Sequence, residues 1–143
     1  MWVSVLISVP ALVVGVAGYR VVLWNKRRVR TDEFRVPATC AQETFMVMEH
    51  SGLPLDASLL EEARQHQPKL AAAARRAASD PDVGKALQDL AQRFAALVDS
   101  SIPRTRETRD EFRRRERQWE RQLRATDESF TGLFKCLDGG RKR

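Results

Sequence analysis

The sequence predicts an all-α chain, with a single N-terminal transmembrane helix followed by extended amphipathic and charged helices rather than a compact enzyme domain. Three observations predict it. One long apolar run occupies residues 1–25 of 143 and ends in a basic cluster. The stretch "SDPDVGKALQDLAQRFAALVDS" sets large apolar residues at helical spacing behind a capping residue. The stretch "RTRETRDEFRRRERQWERQLRATDE" holds nine Arg and seven acids among few large apolar side chains, the composition of a solvated helix.

The first element is the expected membrane helix, residues 1–25. No charge occurs from Met1 to Tyr19, and the apolar character resumes after Arg20 as far as Trp24. Trp2 to Trp24 would be about 35 Å long as a helix, enough to cross a bilayer. Trp2 and Trp24 suit the two interfaces, and Arg20 can extend its guanidinium to the headgroups. Lys26, Arg27 and Arg28 anchor the following flank. A cleaved export signal would carry its positive charge ahead of the apolar core, whereas here the charge follows it. The charge asymmetry places the rest of the chain in the cytoplasm or the mitochondrial matrix. Ser4, Ser8, Ala11, Gly15 and Gly18 recur at spacings of four and three, which aligns small side chains on one packing face. Pro10 is expected to kink the helix near its middle.

Residues 26–55 read as a basic flank and connector, with a short segment around "AQETFMVMEH" closed by a turn at "SGLP". Residues 56–99 read as helical. Asp56 can cap "ASLLEEARQHQ", and Pro68 is expected to interrupt it. An amphipathic helix follows over 81–99, with Ser79 or Asp80 as cap and Val83, Leu87, Leu90, Phe94 and Leu97 on one stripe. Residues 104–128 form a long charged helix, with favourable pairs at Asp110 and Arg114, Glu111 and Arg115, and Glu120 and Arg124. Its apolar seam is narrow: Phe112, Trp119 and Leu123. Residues 129–143 form a short amphipathic tail led by Phe130, Leu133, Phe134 and Leu137. A seam this sparse suits contact with other chains. Val83, Leu87, Leu90, Phe94, Leu97, Phe112, Trp119, Leu123, Phe130 and Phe134 are therefore expected to be partner contacts.

Chemistry finds little support. His50 and His66 fall in separate segments with no acid or nucleophile arranged around them in sequence, and Glu61 and Glu62 are adjacent, so they point in different directions on a helix. Cys40 and Cys136 lack the spacing of a metal site or a disulfide framework. The chain carries a net charge of +6, but in the Arg-rich stretch the acids nearly cancel the arginines, which argues against nucleic acid as a partner. The expectation is a chain without catalytic activity, metal, cofactor or small-molecule substrate. Its partners are membrane lipid and other protein subunits of a membrane complex.

An uncleaved "MW" start, one span, a basic flank, and Met48 and Glu49 followed by basic His50 together resemble the MWFE subunit of mitochondrial respiratory complex I, over residues 1–50. The resemblance implies an accessory subunit of the respiratory chain in the mitochondrial inner membrane, bracing the membrane arm of an electron-transport complex without a redox centre of its own. It implies a tail facing the intermembrane space, opposite to the side indicated by the charge asymmetry. The alternative is a single-pass adaptor of a bacterial plasma membrane that dimerises through the small-residue face and recruits a soluble partner through its helical region.

Overall fold

The structure is a computed structural model and describes residues 32–139. Four helices account for most of them: α1 over residues 32–51, α2 over Ala57–Arg76, α3 over Pro81–Ser101 and α4 over Arg109–Gly139. A 3₁₀ turn, Ala77–Ser79, joins α2 to α3, and no strand occurs among the described residues. The described residues are thus all-α. The expected membrane helix, with Ser4, Ser8, Ala11, Gly15 and Gly18 on its face and Trp2, Arg20, Trp24, Lys26, Arg27 and Arg28 as anchors, lies outside the described residues. Among the described residues no helix is long and apolar enough to cross a membrane.

Each helix is explained by one buried stripe. In α1 it is Phe34, Ala38, Ala41, Phe45 and Met48, at spacings of four and three. Gly52 then takes φ +65°, and its N–H donates to the Met48 carbonyl at 3.1 Å, a left-handed cap that ends the helix. In α2 the stripe runs through Leu59, Leu60, Ala63, His66, Leu70 and Ala73. The expected break at Pro68 does not occur, because buried residues continue on both sides of it while the proline ring faces solvent. Burial of the stripe outweighs the one backbone bond that proline removes.

The start of α3 is set by three neighbouring residues. Asp80 accepts a hydrogen bond from the Val83 N–H at 3.4 Å, and Pro81 occupies the first turn, where no donor is needed. Gly84 lies against the preceding 3₁₀ turn, so close that an added Cβ would sit 2.8 Å from the Ala77 carbonyl oxygen. Replacing Gly84 with alanine should therefore destabilise the bundle by about 1–3 kcal/mol, despite the better helix propensity of alanine. Urea unfolding followed by circular dichroism measures this, and a variant as stable as the parent would show that α3 does not need the close approach.

One helix replaces the expected charged helix over 104–128 and the separate tail over 129–143. Its buried positions, Arg115, Trp119, Leu123, Thr126, Phe130, Leu133 and Leu137, follow one another at intervals of three or four. Thr126 and Ser129 carry the stripe across the point where apolar residues alone suggest a gap. The helix begins with a capping box. The Glu111 N–H donates to Thr108 Oγ1 at 3.2 Å, and the Thr108 N–H donates to Glu111 Oε2 at 3.0 Å. Glu111 is thereby committed to the cap, and Arg115 pairs with Glu107 instead of with Glu111.

The helices close into an antiparallel, up-down four-helix bundle, which corrects the expectation that they lie extended. Phe45 of α1 meets Phe130 of α4 with ring centroids 5.3 Å apart, and Phe130 meets Phe94 of α3 edge-on at 6.5 Å. His66 of α2 meets Phe94 edge-on at 6.5 Å, so one layer draws a ring from every helix. Near the start of α1, Arg35 pairs with Asp138 at the end of α4 at 2.5 Å, with its guanidinium 5.9 Å from the Phe134 ring centroid. The seams that looked too sparse to fold alone are sufficient because four of them converge.

Candidate functional site

The residues expected at partner contacts lie mostly inside their own bundle. Val83, Leu87, Leu90, Phe94, Leu97, Trp119, Leu123 and Phe130 are buried core residues. Phe134 is half-buried against that core and Phe112 is half-buried on α4. This overturns the partner reading for the eight buried residues, since their stripes are already covered by α1, α2 and each other. Phe112 has a different task, with its ring centroid 5.3 Å from the Arg115 guanidinium carbon.

Two polar assemblies are built into the bundle. The first joins α1 to α2. Thr44 is buried and its hydroxyl donates to Glu62 Oε1 at 3.3 Å, so the 2.8 Å contact between Thr44 Oγ1 and His66 Nε2 is one in which the ring N–H donates. That tautomer leaves Nδ1 unprotonated, and Nδ1 is buried without a partner. A second proton would add an unpaired donor and a charge beside Phe94. Burial lowers the His66 pKa below the ordinary histidine value, and Lys69 lowers it further, while Glu62 opposes them.

The sequence places Glu62 one helical turn before His66, a legible i,i+4 relation, but Thr44 comes from another helix. Among the described residues these three side chains are the one place where an acid, a hydroxyl and an imidazole meet, and the cluster holds a neutral histidine in the core. With the folded pKa lowered, the unfolded chain binds the extra proton first. Stability is therefore full above the unfolded histidine pKa of about 6.5 and falls as the pH drops through the lowered value. Chemical unfolding near pH 7.5 and near pH 5 should show this loss, with a smaller loss in a His66→Gln variant; equal losses in both would exclude His66 as the source.

The second assembly ties the loop between α3 and α4 to both helices. Arg115 donates from Nε and Nη2 to the two oxygens of Glu107, each at 2.9 Å, and from Nη1 to the Ser100 and Ile102 carbonyls, each at 3.2 Å. The two side chains are 7% and 9% exposed, so this is an interior ion pair with matched forks. Trp119 Nε1 donates to Ser101 Oγ at 2.8 Å, and Ser101 in turn donates to the Leu97 carbonyl at 2.7 Å. Further along the same pair of helices, Ser129 donates to Asp89 at 2.7 Å and Arg93 donates to the Ala125 carbonyl at 2.8 Å.

The outer surface offers two unlike faces. On α1, Val36, Met46 and Val47 are each more than half exposed, at 62%, 51% and 53%, with Met46 and Val47 adjacent in the chain. On α4, Arg113, Arg114, Arg117, Arg121 and Arg124 are exposed. Cys40 is exposed and Cys136 half-buried, both as free thiols. Among the described residues no group of three or more His, Cys, Asp or Glu is placed to hold a metal ion. The chain matches no protein-family model, no curated protein and no solved structure.

Proposed function

We propose that this chain is a non-catalytic, single-pass membrane adaptor: a four-helix bundle held at a membrane by an N-terminal span, working through the proteins its outer faces bind. The observation that carries the reading is the division of apolar residues in α1. Phe34, Ala38, Ala41, Phe45 and Met48 complete the core, while Val36, Met46 and Val47 remain exposed on the helix that follows the expected span. Large apolar side chains left exposed on a folded domain are available for a binding protein to cover.

The accessory-subunit reading, in which the chain braces a respiratory-chain complex in the mitochondrial inner membrane, stands second. Its support is the resemblance in residues 1–50, and the need of extended helices for neighbouring chains no longer adds to it. Leucine at Gly15 and Gly18 together distinguishes the two. In an adaptor, the variant loses self-association in the membrane and keeps its folded bundle. In an accessory subunit, it depletes a large complex on native gels, and that outcome would displace the adaptor reading.

A further inference from the structure

The arginine face of α4 is not accounted for by the fold. Arg113, Arg117, Arg121 and Arg124 follow at spacings of four, four and three, which sets them along one side of the helix over about 17 Å, with Arg114 beside them. All five are exposed, and Arg115, Trp119, Leu123 and Thr126 turn the opposite side of this stretch to the core. No carboxylate lies within ion-pair distance of any of the five among the described residues, so the expected pairs of Asp110 with Arg114 and Glu120 with Arg124 are not formed. Arg117 and Arg121 reach only the backbone carbonyls of Arg113 and Arg117, at 3.4 and 3.5 Å. Like charges four apart on a helix oppose its stability. The arginines thus face one another along the ridge, and no ion pair among the described residues ties any of them down.

The residues exposed around it also narrow the partner. A lipid-binding helix would also carry exposed large apolar residues, and the exposed large apolar residues lie on α1 and in the loop at Ile102 instead. Glu116 and Glu120 stand among the arginines and would repel a phosphate backbone. A protein helix meets both conditions, because its own Asp and Glu can take the planar guanidinium forks while a basic residue of the partner answers Glu120.

We infer that the outer face of α4 from Arg113 to Arg124 docks an acidic helix of a partner protein. This rests on the adaptor reading and gives it a recruiting surface in place of the buried α3 stripe. The test uses the full chain in nanodiscs of neutral lipid. Four fluorescent probes are titrated: a helical peptide with Glu at spacings of four, four and three; a peptide of the same composition in scrambled order; a short DNA duplex; and vesicles containing phosphatidylserine. The ordered peptide should bind most tightly, weaken with salt, and lose about tenfold or more in affinity to an Arg117→Glu/Arg121→Glu variant that melts like the parent. Tighter binding of DNA or vesicles, equal binding of the scrambled peptide, no binding, or indifference to the charge reversal would each overturn the inference. Alkaline extraction of membranes tests the tether separately: a chain that leaves the membrane refutes the adaptor reading, whatever its arginine face binds.

Discussion

Replacing Arg115 with alanine should destabilise the bundle by about 3–5 kcal/mol, because it leaves Glu107 as an unpaired carboxylate in a site with little access to water. It also strips the Ser100 and Ile102 carbonyls of their shared donor. The loss should be partly reversed by replacing both partners with apolar residues of similar volume, Arg115→Met with Glu107→Leu, since an ion pair of this kind is costly to break but not costly to replace. Urea denaturation of the parent, the single variants and the double variant gives the coupling directly. A loss below about 1 kcal/mol in Arg115→Ala would mean that water reaches Glu107 freely and that the loop is not held by this pair.

The second large effect belongs to Phe130. Its side chain is fully buried and is the ring through which α4 touches both α1 and α3, at Phe45 and Phe94. Truncation to alanine removes the transfer free energy of the ring and leaves a cavity that three helices must share, at a cost of about 3–5 kcal/mol. Two edge or tilted ring contacts are lost with it, each contributing up to about 1.5 kcal/mol beyond the buried area. Phe130→Leu should recover much of the difference by filling part of the space. A Phe130→Ala variant that unfolds at the parent's denaturant midpoint would contradict the layer in which all four helices meet.

The legible parts of this fold were those encoded by periodicity within one helix. Val83, Leu87, Leu90, Phe94 and Leu97 announce α3, with Asp80 and Pro81 at its start, and the structure places the helix over Pro81–Ser101. The illegible parts depended on tertiary context. Pro68 reads as a boundary, yet it lies within α2, because buried residues on either side make the continuous helix worth one lost backbone bond. Thr126 and Ser129 are polar, so the sequence divided α4 at the very point where small hydroxyl side chains fit the core and hydrogen-bond locally or to α3.

The same limit explains the mistaken surface. A sparse seam on a charged helix can face a partner or three neighbours of its own chain, and only the closure of the bundle distinguishes them. Trp119 illustrates it: an isolated aromatic among arginines reads as an interface anchor, whereas its indole N–H is held by Ser101 and its ring is 3% exposed. Spacing alone pairs Glu111 with Arg115, whereas Arg115 pairs with Glu107. The Thr108 to Glu111 capping box was present in the sequence as a Thr-x-x-Glu pattern and is the stronger use of that carboxylate, since it satisfies backbone donors at a helix start. The functional surfaces were less legible still, because an exposed arginine and a paired one look identical in sequence.

The most direct measurement of the account's central claim is native electrophoresis of mildly solubilised membranes, with mass spectrometry of each band that holds this chain. A membrane-tethered adaptor predicts that the chain is retained in the membrane fraction and migrates with a protein partner carrying an acidic helix, and that the partner is lost from the band in the Arg117→Glu/Arg121→Glu variant. Migration in fixed ratio with respiratory-chain subunits, or recovery of the chain alone in the soluble fraction, would contradict it.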